Sequence, residues 1–338
     1  MSVFTNSGTE NRMMWDRTTR GFMEVWYATI NHPPTGIGVW LRYTLTAPTD
    51  APPYCELWGF VFDREQRSNF AGKETYTIDR LGVANGRDDG AIVRIGDAWL
   101  SENHLDGSLT KDGTTLSWSL GFAPATRCFQ HLPEQIRNRI AGRVSTVCSP
   151  NMAVPFSGTV VVGDRKLEFD GAPGSQSHRW GARHSLSWTW AHCSEWDDGE
   201  AVFEGLAAQA AVGPIPAPKS TFVFLNYEGE EIAFNELRWA LRAKSTYGLP
   251  AWSFSAQTDR WRIHGHAAAN PARMVQVTYR DPDGAARYCA NSEISGLTLH
   301  LFRKEGSNWV HRRTLNANGT AHLEFGRTTP FAELPVAF

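Results

Sequence analysis

The chain lacks the features of membrane-spanning, secreted and disulfide-bonded proteins. No uncharged apolar run approaches the roughly 18 residues of a membrane-spanning helix, and the polar residues 1–17 lack the apolar segment of a secretory signal. The five cysteines are odd in number, widely spaced and without a Cys-x-x-Cys pair, a pattern typical of reduced cytosolic thiols. We therefore expect a soluble cytoplasmic protein without a membrane span, although the sequence leaves transient membrane contact open.

An excess of charge of one sign is also missing, as are the motifs of several enzyme classes. Scattered basic and acidic residues, 33 and 35 in number, give a net charge of −2, so we expect no nucleic-acid partner. The absence of P-loop, GxGxxG, GxSxG and HExxH motifs leaves phosphoryl transfer, nucleotide-dependent hydride transfer and serine hydrolysis without support. His184 and His192 would lie roughly 26 Å apart along one strand, too far for one ion, so we expect no metal site.

Short strand-like runs fill most of the sequence, and helix signals are sparse. Runs rich in Val, Ile, Thr and aromatic residues recur at nearly even spacing and end at Gly, Pro, Asn or Asp. They predict an all-β architecture of antiparallel barrels or sandwiches. Short helices are predicted at 132–140 and 235–243, and hairpin turns at Gly163-Asp164, Asp281–Gly284 and Asn316–Gly319.

Length and glycine content indicate two domains. A chain of 338 residues is too long for one ordinary core and long enough for two. The glycine-rich segment 170–177 separates two stretches of similar length, each with about the number of strands that closes a small barrel. We therefore predict an N-terminal β-domain at 1–172 and a C-terminal β-domain at 173–338, while the oligomeric state stays open.

The stretch 175–196, SQSHRWGARHSLSWTWAHCSEW, contains four of the 14 tryptophans and three of the 11 histidines. Strand alternation places His184, Leu186, Trp188, Trp190 and His192 on one face and small residues on the other. Indoles between imidazoles suit a cavity for a large hydrophobic ligand with a few polar handles. The same side chains would equally fill a solid barrel, and both interpretations stay open at this point.

His178 and several glutamates are the candidate proton donors. His178 is suited to proton transfer near neutral pH, and the face of Trp180 to stabilising a developing cation. This HRWG block (178–181) also fits a structural corner in which the tryptophan plugs a barrel end. A carboxyl facing an apolar cavity is a suitable general acid because desolvation raises its pKa, although it also suits a structural ion pair with arginine. The carboxylates inside aromatic strands are Glu24, Glu56, Glu204 and Glu324.

The segment GAPGSQSHRWGARHSLSWTWAHC (171–193) resembles the signature of the AttH-like family, which includes carotenoid 1,2-hydratases (hydroxyneurosporene synthases) and is related to tocopherol cyclases. Looser similarity at 24–45, 149–162, 288–297 and 319–326 extends the resemblance over about the whole chain. It implies two lipocalin-like (calycin-type) antiparallel β-barrel or half-barrel domains packed side by side. It also implies chemistry without a cofactor, namely hydration or cyclisation at carbon–carbon double bonds of isoprenoid- or polyketide-like substrates.

The resemblance also suggests site residues. The His-x-Trp pair of the hydratases matches His178 and Trp180. Their Tyr-x-Asp pair on a following strand corresponds to Val202-Phe203-Glu204, where the tyrosine is absent and the acid is glutamate. Tocopherol cyclases have an acid-containing version of the WG block, whereas this chain has SHRWG. Both differences weaken the assignment of either specific reaction.

Together these observations predict an enzyme that protonates or cyclises a carbon–carbon double bond of a hydrophobic small molecule in an aromatic-lined cavity. A non-catalytic carrier of a lipid or pigment and a sugar-binding module are the alternatives. We predict no cofactor and no metal. The predicted catalytic residues are His178, Trp180 and Glu204. The predicted substrate-binding residues are Trp188, Trp190, His192, Tyr227, Trp26 and Glu24.

Overall fold

β-Strands dominate the structure, a computed structural model that describes residues 3–65, 69–82, 90–132, 145–212 and 215–338. The predicted all-β class is therefore confirmed. In chain order the strands are β1 (Val3–Thr5), β2 (Phe22–His32), β3 (Ile37–Ala47), β4 (Tyr54–Asp63), β5 (Phe70–Thr77), β6 (Leu81–Gly82), β7 (Ala91–Ile95), β8 (Ala98–Ser101), β9 (His104–Lys111), β10 (Thr114–Phe122), β11 (Arg127–Gln130), β12 (Thr146–Val162), β13 (Arg165–Gly181), β14 (Ser187–Cys193), β15 (Ala201–Gln209), β16 (Ala211–Val212), β17 (Ile215–Pro216), β18 (Ser220–Tyr227), β19 (Glu230–Ala233), β20 (Lys244–Gly248), β21 (Ala251–Gln257), β22 (Trp261–Ala268), β23 (Val275–Arg280), β24 (Ala286–Glu305) and β25 (Asn308–Arg327).

Helix is as sparse as the sequence predicts. A helix predicted at 235–243 is present as α1 (Leu237–Ala240), and the one predicted at 132–140 falls, after Leu132, outside the described residues. Short 3-10 turns occupy Pro33–Thr35, Ile78–Arg80 and Pro271–Arg273. Within the described ranges α1 is the longest helix, and at four residues it is too short to cross a membrane.

Two of the three predicted hairpin turns are confirmed. Gly163-Asp164 connects β12 and β13, and Asp281–Gly284 connects β23 and β24. The turn predicted at Asn316–Gly319 is wrong because β25 continues through it, paired with β24. Gly319 has a φ of +89°, and the register of β24 and β25 shifts beside it. The residue types of a turn therefore mark a bulge at this position.

The first sheet forms a nearly closed barrel. Among the described residues its path is β5-β4-β3-β2-β13-β12-β10-β9-β8-β7-β6, with β1 and β11 attached beside β12. The Ile78–Arg80 turn joins the two edge strands, and Glu74 Oε1 accepts a hydrogen bond from Thr110 N across the seam at 2.7 Å. Side chains such as Leu41, Leu109 and those of neighbouring strands fill the interior, because alternation directs every second residue inward.

The second sheet has its own core. Its path in the described ranges is β19-β18-β15-β14-β25-β24-β22-β21-β20, with β23 beside β24, and β16 and β17 form a separate ribbon. Ala191 and Cys193 of β14 belong to this core together with Phe203, Trp252 and Leu299. The small face of β14 therefore packs inside the second sheet, and its aromatic face lies on the other side.

Aromatic side chains join the two sheets. Trp40 and Phe60 on the outer face of the first sheet share a buried cluster with Trp188 and Tyr279 of the second. The strands approach closely at Gly38, where a Cβ atom would lie 2.5 Å from Glu293 Cβ. Only glycine fits this contact without a shift of one sheet.

The predicted domain division at 172/173 falls inside β13. This strand stays in the first sheet to Gly181, where it pairs with Met23 of β2. The second sheet begins at Ser187 with β14. The change of sheet therefore follows the predicted division, and the division into domains 1–172 and 173–338 stays a prediction.

Candidate functional site

A cavity of about 120 Å³ lies where the two sheets meet. Its aromatic walls come from both sheets because alternation on β2 and β3 directs Tyr27 and Trp40 away from the barrel interior, towards the aromatic face of β14. The aromatic residues that line it are Tyr27, Trp40, Trp188, Trp190 and Tyr279. The void beside Trp188 and Trp190 excludes the alternative in which they fill a solid barrel.

The two β14 indoles have satisfied N–H groups. Trp188 Nε1 donates to the carboxylate of Glu324, which also lines the cavity, and Trp190 Nε1 donates to Glu204 Oε1 at 2.6 Å. Tyr27 packs edge-on against Trp190 with ring centroids 5.9 Å apart. Both tryptophans are only 6% exposed, which is contrary to the open stacking platform that a sugar-binding module requires.

His184, on the cavity wall, is held between an acid and a base. Its Nδ1 donates to Asp281 Oδ1 at 2.6 Å, and its Nε2 accepts from the Arg179 guanidinium at 2.9 Å. Burial and the neighbouring Arg179 lower the pKa of His184 to about 3. Burial raises the pKa of Asp281, but its bonds with His184 and the charge of Arg287 lower it overall. The imidazole is therefore neutral and its tautomer is fixed.

Two arginines line the cavity. Arg179 donates to Ser145 Oγ at 2.7 Å and to the Arg183 carbonyl at 3.2 Å. Its pKa falls to about 10, chiefly because it is buried, with a further lowering from Arg42. The Arg42 guanidinium carbon lies 4.4 Å from the ring centre of Tyr279, 4.9 Å from that of Trp58 and 5.7 Å from that of Trp40. These rings hold it by cation–π contact.

The two cavity tyrosines remain protonated. Burial raises the pKa of Tyr27 well above its usual value, and the nearby Glu204 and Glu324 carboxylates add to this effect. Burial likewise raises the pKa of Tyr279, with a contribution from Cys289. Both phenols are therefore hydrogen-bond donors at neutral pH.

His178 and Glu24 form a separate buried cluster. His178 Nδ1 donates to the Glu10 carbonyl at 2.7 Å, and its Nε2 lies 2.9 Å from Glu24 Oε1. Glu24 also accepts from the backbone N–H groups of Met14 at 2.7 Å and Trp15 at 3.0 Å. This arrangement fastens the N-terminal segment to β2 and β13.

Trp26 and Trp180 flank the same histidine. The His178 ring stacks on Trp26 with centroids 4.8 Å apart, and Trp180 lies 4.7 Å away on the same strand as His178. Trp26 is fully buried, whereas Trp180 is half-buried. The cavity-lining side chains include none of these residues, nor Glu24. The bond of His178 to a backbone carbonyl fits the structural-corner interpretation of the HRWG block, which stays a prediction.

Glu204 and His192 lie behind Trp190. Glu204 Oε1, besides binding the Trp190 indole, is 2.9 Å from His131 Nε2. His192 stacks on Trp190 at 6.3 Å and donates from Nε2 to the Met152 carbonyl at 2.7 Å. These two predicted residues support the cavity wall without forming its surface.

Tyr227 lies at the end of β18, against the core of the second sheet. A hydrogen bond with Glu228, followed by partial burial, raises its pKa. Of the nine predicted site residues, the cavity surface thus contains Trp188 and Trp190.

The prediction missed Tyr27, Arg42, Arg179 and Tyr279. It placed His184 on the aromatic strand face and Glu324 among the candidate carboxylates, but chose neither as a site residue. In the first sheet, the pattern that identifies the cavity residues is alternation combined with the pairing of neighbouring strands, which the prediction did not use. Arg179 pairs with Val25, and His178 pairs with Trp26. Because paired residues share a face, Arg179, Val25 and Tyr27 belong to one face of the sheet and His178 to the other.

Family comparison covers most of the chain. A family model described as tocopherol cyclase-like matches residues 114–327. The chain belongs to the tocopherol cyclase-like family. Two Mycobacterium tuberculosis relatives, the uncharacterised proteins Rv0493c (strain ATCC 25618 / H37Rv) and MT0513 (strain CDC 1551 / Oshkosh), are each 27% identical over 313 residues. The match covers 92% of this chain and 88% of each relative.

Two solved structures resemble this tocopherol cyclase-like chain. A protein of Nitrosomonas europaea described as AttH superposes with a TM-score of 0.53 at 10% identity, covering 92% of this chain and 93% of its own. Kievitone hydratase from Nectria haematococca superposes with a TM-score of 0.53 at 11% identity, covering 96% and 94%. The predicted AttH-like resemblance and lipocalin-like fold are confirmed.

Proposed function

We propose that this tocopherol cyclase-like chain is an enzyme of the hydratase or cyclase type. It would protonate a carbon–carbon double bond of a hydrophobic isoprenoid- or polyketide-like molecule in the cavity between the sheets. The observation that carries the proposal is the meeting, in one cavity between the sheets, of the Trp40, Trp188 and Trp190 rings with the Glu324 carboxyl. Family membership and the hydratase among the structural neighbours support it.

Aromatic walls address the difficult part of this reaction. Protonation of an alkene produces a carbocation, which bulk water captures without control. Ring faces stabilise a cation through their quadrupoles, and exclusion of water strengthens that interaction. Because the Trp188 and Trp190 N–H groups already bind carboxylates, these rings offer the substrate their apolar surfaces.

Glu324 is the proton donor in this proposal. It is the carboxyl among the described residues of the cavity lining. Its O–H proton forms a C–H bond with one alkene carbon, using the π electrons, and the neighbouring carbon becomes the cation. A water oxygen (hydratase) or a substrate hydroxyl oxygen (cyclase) then forms the C–O bond and returns a proton to Glu324.

His184 has a positioning role here. Its two nitrogens already bind Asp281 and Arg179, so it orients the guanidinium on the cavity wall. Sequence reasoning assigned proton transfer to His178 or Glu204. The proposal moves this role to Glu324 because the other two side chains contact the protein on all sides and are 0% exposed.

Cavity volume limits the reacting group. An engineered cavity of about 150 Å³ holds one benzene molecule, and this cavity has about 120 Å³. This smaller volume holds a branched alkene end. Because lining residues such as Ser185 and Leu206 are half-buried, a single ring is able to enter with one edge towards solvent, whereas a complete long-chain isoprenoid does not fit. The remainder of such a substrate would extend out of the cavity.

The test uses prenylated phenols and unsaturated acids incubated with the protein in D2O and in H2¹⁸O. Hydration gives a product with one new C–D bond and one labelled oxygen, and cyclisation gives an isomer with deuterium but no labelled oxygen. Replacing Glu324 by Gln is expected to lower turnover about 100-fold, the lower end for loss of a general acid.

Glu230→Gln is the matched control, because Glu230 accepts a hydrogen bond from the Trp261 indole at 2.9 Å outside the cavity. It should leave turnover near the wild-type value. Full turnover by Glu324→Gln would contradict the assignment of the acid. Recovery of a bound substrate without conversion would favour the carrier alternative.

A further inference from the structure

Arg42 is a buried cation without a counter-ion among the described residues. Its side chain lines the cavity, is 4% exposed, and contacts three aromatic rings. Its Nε has no hydrogen-bond partner among the described residues. A buried charge without a partner is costly in free energy.

The rest of the cavity wall does not supply the missing charge. Arg179 donates to a hydroxyl, a carbonyl and the neutral His184 ring. Glu324 is the carboxyl group in the described part of the wall, and it binds the Trp188 indole. Asp281, behind His184, pairs with Arg287. Two guanidinium groups therefore face one carboxyl group, and the wall carries an excess of positive charge.

We infer that the cavity binds an organic carboxylate on a compact, single-ring or similarly small skeleton, with Arg42 as the residue that selects the anion. As a statement about the substrate of the enzyme, this inference rests on the proposed function. As a statement about binding, it depends on charge and volume alone.

Shape favours a carboxylate over a phosphate. A guanidinium forms two parallel hydrogen bonds with a planar carboxylate. The ring-bound face of Arg42 is covered, so such a pair would use its N–H edge.

Three ligands of the same ring size separate these alternatives. Benzoate carries one negative charge, benzamide is its neutral counterpart, and phenyl phosphate carries more charge. Their dissociation constants are to be measured by calorimetry at pH about 7.5 and constant ionic strength, because screening changes charge selectivity. Benzoate is expected to bind at least about tenfold more tightly than either of the others, the effect of one charge-assisted hydrogen bond.

Arg42→Met removes the charge and keeps a long apolar stem against the rings. It should weaken benzoate binding at least about tenfold and leave benzamide binding unchanged. Arg262→Met is the matched control, because Arg262 lies 4.4 Å from the ring centre of Trp309, outside the cavity. It should bind all three ligands as the wild type does, and circular dichroism should confirm that each variant is folded.

Several results would overturn the inference: equal binding of benzoate and benzamide, tighter binding of phenyl phosphate, no binding of any of the three, or unchanged benzoate binding by Arg42→Met. The wild-type comparison needs no variant to fold. Failure of the proposed function is separable, because benzoate binding needs no turnover.

Discussion

The two faces of β13 hold two histidine clusters with different organisation. On one face His178 binds a backbone carbonyl and Glu24, and two tryptophan rings enclose it. On the other face Arg179 donates a hydrogen bond to His184, and both side chains line the cavity between the sheets. The first cluster is fully packed, and the second leaves space beside its polar groups.

This difference shows why a distinctive motif does not by itself locate a site. The residues of the HRWG block alternate in direction, so His178 and Trp180 secure the N-terminal segment while Arg179 contributes to the cavity. His178 and His184 both have two occupied nitrogens and stacked rings, so these features do not separate the two clusters. A cavity wall with an unpaired cation, as at Arg42, is suited to a ligand.

The largest expected effect separates these two roles. Replacing Glu24 by Ala removes the partner of His178 and the acceptor of two backbone N–H groups. Breaking one side of such a buried pair costs about 3–5 kcal/mol. We expect a decrease of this size in the free energy of unfolding, measured by urea denaturation.

The control is Glu168→Ala, which removes an exposed carboxylate on β13, the strand of His178. This variant should unfold near the wild-type midpoint. Loss of turnover in Glu24→Ala without loss of stability would contradict the structural role given to the His178 cluster. It would return the catalytic role to the His178 cluster, as the sequence suggests.

The next largest effect is the pH dependence of folding stability that the cavity histidine, His184, causes. The pKa of His184 is about 3 when folded and 6.5 when exposed, so the unfolded chain binds its proton first as the pH falls. The contribution of His184 to the free energy of unfolding is fully present above pH 6.5. Below pH 6.5 it decreases by about 1.4 kcal/mol per pH unit. Between pH 6.5 and 5 the expected loss is about 2 kcal/mol.

His184→Gln should remove this part of the pH dependence. A glutamine amide is able to donate to Asp281 and to accept from Arg179, and it does not titrate. His266→Gln, at an exposed position bonded to Ser253, should keep the wild-type slope. An unchanged slope in His184→Gln, measured by urea denaturation from pH 7 to 5, would assign the proton uptake to His192 and His322, whose pKa values burial also lowers.

Local patterns predicted the fold well, and the site less well. Period-two runs, the Gly163-Asp164 turn and the aromatic face of β14 are properties of adjacent residues, and the structure confirms them. The cavity, in contrast, depends on which face of the first sheet packs against which face of the second. Arg42 and Trp188 are far apart in sequence, and strand alternation alone does not reveal that their faces meet. The bulge at Gly319 has the same residue types as a turn, so its local pattern was misleading.

The smallest expected effect comes from removing one serine hydroxyl group on each side of the first sheet. Ser145 Oγ accepts from Arg179 at 2.7 Å and donates to the Arg183 carbonyl at 2.6 Å. Ser149 Oγ accepts from Ser177 Oγ at 3.0 Å in a buried position. Replacing either serine by alanine removes a hydrogen-bonding group, with an expected cost of about 1 kcal/mol in unfolding free energy.

Only Ser145 positions a cavity arginine, so the two variants should differ in ligand binding. Ser145→Ala is expected to weaken benzoate binding two- to threefold, roughly half a kcal/mol, because Arg179 loses the partner that fixes its guanidinium. Ser149→Ala should lose similar stability and bind benzoate as the wild type does. Equal affinities in the two variants would mean that Arg179 is held by His184 and the Arg183 carbonyl alone, and that the hydroxyl contributes to folding without orienting the cation.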